Sequence, residues 1–170
     1  MAVYPNLWAG QRATADLLTS MLPLHAAKAS ATSRASTIAI SADPDLQLPV
    51  VANAQYLIHF YFRISGLAAA DMDIQFTTPA LCTGSYGVTG RLAGASAADT
   101  DARTSTRIAF NVETQYSTPS TAAAQINHGA GRLITGANAG TFSVDWAQTV
   151  SSATASVMES DSWLMLKRIA

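Results

Sequence analysis

The clearest alternation in the chain runs from Gln55 to Ile64, where Tyr56, Ile58, Phe60, Phe62 and Ile64 make one wholly apolar phase. The other phase, Gln55, Leu57, His59, Tyr61 and Arg63, is mixed. Side chains of a strand point alternately to its two faces, so this spacing predicts a strand with one face in a core. The same period recurs at Ile38/Ile40, Leu46/Leu48/Val50, Met72/Ile74/Phe76, Ile108/Phe110/Val112 and Phe142/Val144/Trp146. The stretch Ser162 to Ile169 is apolar on both phases, with Trp163, Met165 and Ile169 against Leu164 and Leu166. Turn chemistry punctuates the series. Asp43-Pro44-Asp45 reads as a turn because proline pre-sets one dihedral and aspartate bonds its own backbone, and His128-Gly129-Ala130-Gly131 reads as a hairpin turn between strands.

Ahead of the strands the period changes. Thr14 is placed to cap a short helix from Ala15 to Leu22, with Asp16 in its first turn and Pro23 as its stop. Leu17, Leu18, Met21 and Leu22 then share one helical face, and two turns of helix need something to dock on. The stretch 26–36, AAKASATSRAS, has little to bury and reads as a connector. The expected division is therefore a leader or anchor arm over 1–36 and a β-domain over 37–170.

Seven or more alternating strands predict an all-β antiparallel sandwich, since each apolar face needs a second sheet to cover it. The intervals 91–103 and 117–125 lack hairpin glycines and fit the longer crossings of a Greek key or jelly roll. A terminal strand apolar on both faces lies beneath a further layer. That layer is either the N-terminal helix of the same chain or a partner subunit.

Composition sharpens this expectation. Only 12% of the 170 residues are charged, the formal net charge is −1, and Ala, Ser and Thr number 33, 17 and 18. A surface so poor in charge favours association, which suits a subunit of something larger. Ten basic and eleven acidic residues are spread without clusters, so no footprint for nucleic acid appears. The longest apolar run, LIHFYF, is far short of a membrane span. MAVYPNLWAG lacks the pattern of a secretory signal, and Asn-x-Ser/Thr is absent. A single cysteine, Cys82, excludes an internal disulfide and a cysteine-rich zinc site.

Candidate chemistry is sparse. The pairs Asp43/Asp45, Asp71/Asp73 and Asp99/Asp101 do not continue into a calcium loop and read as a turn, a strand's wet face and a solvated loop. His25, His59 and His128 show no zinc spacing, and no Gly-x-Ser-x-Gly elbow is present. The expectation is a non-enzyme without metal or cofactor, and nothing points to a small-molecule ligand. The candidate contact residues are Leu17, Leu18, Met21 and Leu22 in the helix, with Trp146, Trp163, Leu164 and Leu166 in the closing strands.

Two stretches resemble known families. Gly140, Thr141, Phe142, Val144, Trp146, Ala147 and Gln148, followed by Ser162, Trp163, Leu164 and Leu166, resemble the closing strands of C1q/TNF-like jelly rolls. Pro5, Gly10, Thr14, Ala15 and Leu18, then Asp45, Leu46, Leu48, Val50, Ala52 and Tyr56, resemble small virion proteins of phages infecting actinobacteria and their relatives. The resemblance covers both ends and hardly touches 91–125. It implies a non-enzymatic virion component that forms a homotrimer through the jelly roll and grips the major capsid protein or other virion proteins through the leader. The lack of a fibrous segment or a separate receptor-binding domain tilts this expectation toward a capsid decoration protein. A tail-tip or fibre-head protein binding a host surface is the alternative.

Overall fold

The computed structural model describes residues 8–92, 103–105, 107–118 and 123–170. One short helix, α1 (Ala15–Ser20), precedes thirteen strands: β1 (Leu24–Ala27), β2 (Thr32–Arg34), β3 (Ser41–Val50), β4 (Gln55–Ser65), β5 (Met72–Thr77), β6 (Thr83–Gly90), β7 (Arg103–Thr104), β8 (Ile108–Ala109), β9 (Thr114–Tyr116), β10 (Gln125–Ile134), β11 (Gly140–Ala147), β12 (Ser156–Met158) and β13 (Trp163–Arg168). They form two antiparallel sheets. The larger runs β1-β13-β4-β10-β6-β7, with β12 between β2 and β4 and β8 beside β6; the smaller runs β3-β11-β5-β9. The predicted all-β sandwich is the architecture observed. Among the described residues no helix is long and apolar enough to cross a membrane.

The alternation of β4 produces the core. Tyr56, Ile58, Phe60, Phe62 and Ile64 all lie inside, facing Met72, Ile74 and Phe76 of β5 and Phe142, Val144 and Trp146 of β11. Phe76 is central: its ring stacks on Phe142 at 5.4 Å and meets Tyr86 edge-on at 4.7 Å. Such offset and edge-to-face pairs add to the area they bury.

Several local expectations change. The predicted strand at Ile38/Ile40 is absent, and Ile38 is exposed. Asp43-Pro44-Asp45 is a bulge inside one long strand, not a turn between two. Gln47 pairs with Ser143 and Ala42 with Asp145, so four residues of β3 stand opposite one of β11. Pro44 has no N–H to give a ladder, and the Asp43 carboxylate substitutes by accepting from the backbone N–H groups of Asp45 and Leu46. The glycines of His128-Gly129-Ala130-Gly131 sit in mid-β10, paired with β4 on one side and β6 on the other. A Cβ on Gly129 would lie 2.1 Å from the Gly87 carbonyl oxygen and 2.5 Å from Phe60 Cζ, so glycine here makes room for close packing.

The expected connector over 26–36 contains the end of one strand and the whole of another. β1 extends the larger sheet beside β13, with Ala26 opposite Leu164, and β2 pairs with β12. The sheet therefore begins at Leu24, not after Ser36. Two cations fasten this segment to the opposite layer. Lys28 is buried and its Nζ donates to Asp43 Oδ1 at 2.9 Å and Oδ2 at 3.1 Å, to Asp45 Oδ2 at 2.9 Å and to Thr32 Oγ1 at 2.7 Å. Arg34 lies over the Trp146 ring and donates to the carbonyls of Ser41, Ala42 and Trp146. Burial lowers the Arg34 pKa below its ordinary value, with Asp43 and Asp145 acting in the opposite direction.

Candidate self-association face

The outward phase of the larger sheet has no layer over it among the described residues. Register places its side chains in rows across the strands. His25, Met165, His59 and Ala130 form one row, and Ala27, Trp163, Tyr61 and His128 form the next. Lys167, Leu57 and Arg132 flank the first row, and Arg63 with Ile126 flanks the second. All three histidines of the chain thus share this face.

Its centre is aromatic. The rings of Tyr61 and Trp163 are stacked with centroids 6.2 Å apart and planes 11° apart, and His25 lies 6.2 Å from Trp163 on the other side. Trp163, Tyr61 and Met165 are half-buried by one another, whereas Leu57 and Ile126 are exposed. The charges are cationic. Arg63 pairs with Asp161 at the rim (3.0 Å), and Arg132 donates to Gln55. No carboxylate occupies an outward position of β1, β13, β4, β10 or β6 among the described residues. A large side-chain cluster of this kind on a flat sheet is where a protein surface buries apolar area against a partner. The aromatic centre can be desolvated at little cost, with the cations Lys167, Arg132 and Arg63 at its flanks.

The candidate contact residues divide. Trp163 is at the centre of the face. Trp146, Leu164 and Leu166 are not on any surface: each is fully buried in the chain's own core, and the Trp146 indole N–H donates to Asp43 Oδ2 at 3.0 Å. The doubly apolar reading of the terminal strand holds, but its inner phase, Leu164 and Leu166, packs in the core beneath the smaller sheet, and of its apolar residues Trp163 and Met165 project outward. In α1 the Thr14 cap forms as expected, accepting from the Leu17 N–H, but the helix stops at Ser20. Leu17 is half-buried, while Leu18, Met21 and Leu22 are exposed. Of these four, Leu22 alone lines the cleft of about 380 Å³ between α1 and the sandwich end, with Leu24, Pro49, Val51 and Tyr56. The helix and the aromatic face are not brought together into one site.

Tyr61, Met165 and the histidines were not singled out from the sequence. The signal was the mixed phase of β4, which reads as solvent-facing until β13 is set beside it. Of the intervals 91–103 and 117–125, read as long crossings, residues 93–102 and 119–122 lie outside the described residues, Asp99 and Asp101 among them. Among the described residues no group of three His, Cys, Asp or Glu side chains is arranged to hold a metal ion. Cys82 is half-buried, packs on the core beside β6 and is a free thiol.

No known family, curated protein or solved structure matches the chain.

Proposed function

We propose that the chain is a structural subunit with a jelly-roll fold that assembles as a homotrimer and decorates the capsid of a phage virion, without catalytic activity. Strand order supports the jelly-roll part. The eight strands β1, β3, β4, β5, β9, β10, β11 and β13, counted one to eight, lie in the orders 1-8-3-6 and 2-7-4-5. Successive strands then cross between the sheets except four to five, which pair within the smaller one, as two nested Greek keys require. In this reading β6, β7 and β8 are an insertion that widens the larger sheet beyond β10.

The observation that carries the assembly reading is the uncovered aromatic face around Trp163 and Tyr61. A neutral, alanine-rich chain with such a face gains by covering it with copies of itself. The virion reading rests on the residues around Thr14 and Asp45 that resemble phage particle proteins. In it α1, with Leu18, Met21 and Leu22 exposed, supplies the grip on the major capsid protein. Each apolar side chain newly buried there contributes about 1.5–3 kcal/mol, and three subunits bind together.

Two measurements test this. Light scattering at micromolar concentration is expected to return three times the chain mass of 17.8 kDa, and a monomeric mass refutes the trimer. A chain lacking 1–22 is expected to remain folded and to lose binding to capsids stripped of the native subunit. Undiminished binding moves attachment from the helix to the sandwich.

A further inference from the structure

The Lys28 site holds the parts of a condensation reaction, and we propose that Lys28 and Asp43 join spontaneously in an intramolecular amide bond. Both side chains are fully buried, and Nζ is 2.9 and 3.1 Å from the two carboxylate oxygens of Asp43. That approach puts the carboxyl carbon within the near-attack range of about 3–3.5 Å. The residues that touch these atoms supply what the reaction needs. Asp45 Oδ2 accepts from Nζ at 2.9 Å, and its side chain is 41% exposed, which gives protons and a departing water a route to solvent. The backbone N–H groups of Asp45 and Leu46 donate to Asp43 Oδ1 at 3.0 and 3.2 Å, on the oxygen that carries negative charge when the carboxyl carbon becomes tetrahedral, and the Trp146 indole N–H holds Oδ2 at 3.0 Å. Thr32 Oγ1 holds the third direction of the ammonium.

The atoms balance without a further reactant. One proton passes from the Lys28 ammonium to Asp43 Oδ2, giving a neutral amine and a carboxylic acid. The nitrogen lone pair then forms the N–Cγ bond, and charge collects on Oδ1 beneath the backbone N–H groups of Asp45 and Leu46. Asp45 takes a second proton from nitrogen and delivers it to Oδ2. The Cγ–Oδ2 bond breaks, water leaves, the Oδ1 carbonyl reforms, and the amide nitrogen keeps the last proton. Asp45 ends as it began. The product is a covalent tie from the loop after β1 to the bulge of β3, across the two sheets. Such a tie would hold the N-terminal strands in place under conditions that melt the rest of the chain. It does not depend on the oligomeric state or on a particle.

Intact mass spectrometry of the purified full chain under denaturing conditions decides the matter. The expected mass is that of the sequence less one water. Trypsin is expected not to cut after Lys28, leaving residues 13–34 branched onto residues 35–63. Lys28→Arg keeps the cation but cannot form the amide and is expected to show the full sequence mass. Asp45→Asn is expected to accumulate the dehydrated form at least tenfold more slowly in a time course after purification. A full sequence mass in the unmutated chain after days of incubation overturns the proposal and leaves a buried ion pair. So does a missing water that persists in Lys28→Arg.

Discussion

The Arg34 guanidinium lies 4.2 Å from the centroid of the Trp146 ring, and the same group donates to the Trp146 carbonyl oxygen. One side chain of β2, in the larger sheet, thus holds both the ring and the backbone carbonyl of a β11 residue in the smaller one. Its planar fork suits this double task, since it can stack on an indole while donating in its own plane. Arg34→Ala is expected to lower the unfolding free energy by about 2 kcal/mol, from the lost cation–π contact and the carbonyl bonds. Arg34→Lys is expected to recover less than half of that in the same urea melts, because an ammonium cannot do both.

Truncation separates the helix from the strands that follow it. Removing 1–22 takes away α1, in which no residue is fully buried, and leaves β1 and β2 intact. Circular dichroism of that chain is expected to keep its β-signal and its melting temperature within a few degrees. Removing 1–36 also deletes Lys28 and Arg34, so Asp43 is left as a buried carboxylate without its cation. Losing one partner of a buried pair costs about 3–5 kcal/mol. The longer truncation is therefore expected to unfold at room temperature or to be recovered only as aggregate.

Much of the sandwich was legible because the core strands obey period two. Residues 55–64, 72–76 and 142–146 needed nothing beyond their own alternation to be placed with the correct face inward. What alternation missed is instructive. β6, TGSYGVTG, and β10, QINHGAGRLI, carry glycine where a core residue is expected, because neighbouring backbone and the side chains of Phe60, Phe110 and Asn127 fill that space. β1 and β2 are too short and too rich in alanine and serine to show a period, and their placement comes from Lys28 and Arg34 reaching across the sandwich. The candidate face was half legible. Trp163 stood out as one phase of an apolar strand, but Tyr61 and the histidines join it only through the pairing of β13 with β1 and β4 and of β4 with β10, which no local pattern encodes.

Glycines in β10 and β6 give a sharp contrast. Gly129 faces inward, and a Cβ there meets a backbone oxygen at 2.1 Å. Neither the ladder nor the Phe60 ring can yield that much, so Gly129→Ala is expected to destabilise by about 3 kcal/mol or more through overpacking. Gly87 is opposite Ala130 on the outward phase, and its nearest Cβ contact is at 4.0 Å. Gly87→Ala is expected to change stability by less than about 1 kcal/mol, with the sign favourable if strand entropy dominates. Chemical denaturation of the two variants side by side checks both.

Alkaline stability should trace to one phenol. Burial pushes the Tyr116 hydroxyl well above its ordinary range, and neighbouring Tyr86 adds to the shift. The folded pKa exceeds the unfolded value of about 10, so the associated stability is intact below that pH. Above it the unfolded chain gives up the proton while the folded chain keeps it, and stability falls as pH rises. Urea midpoints measured from about pH 8 to about pH 11 are expected to drop in the unmutated chain and to drop less steeply in Tyr116→Phe. Equal slopes would show that Tyr86, whose phenol burial also raises, carries the effect.

The outward aromatic face yields the prediction most directly tied to function. Trp163 and Met165 alternate with Leu164 and Leu166, so changing the outer pair leaves the core pair untouched. Replacing Trp163 and Met165 together with glutamate places two carboxylates among Tyr61, His25 and His59 on a face that holds none at present. If copies of the chain meet there, both charges are carried into a desolvated interface, and several kcal/mol oppose assembly for each subunit. The double variant is expected to keep its far-ultraviolet spectrum and to run as a 17.8 kDa monomer, and the unmutated chain is expected to run as the proposed trimer. Leu164→Glu is the control, because it buries its charge inside the sandwich and should fail to fold. A double variant that stays trimeric removes this face from the assembly and leaves α1 and the sandwich ends as the contact surfaces.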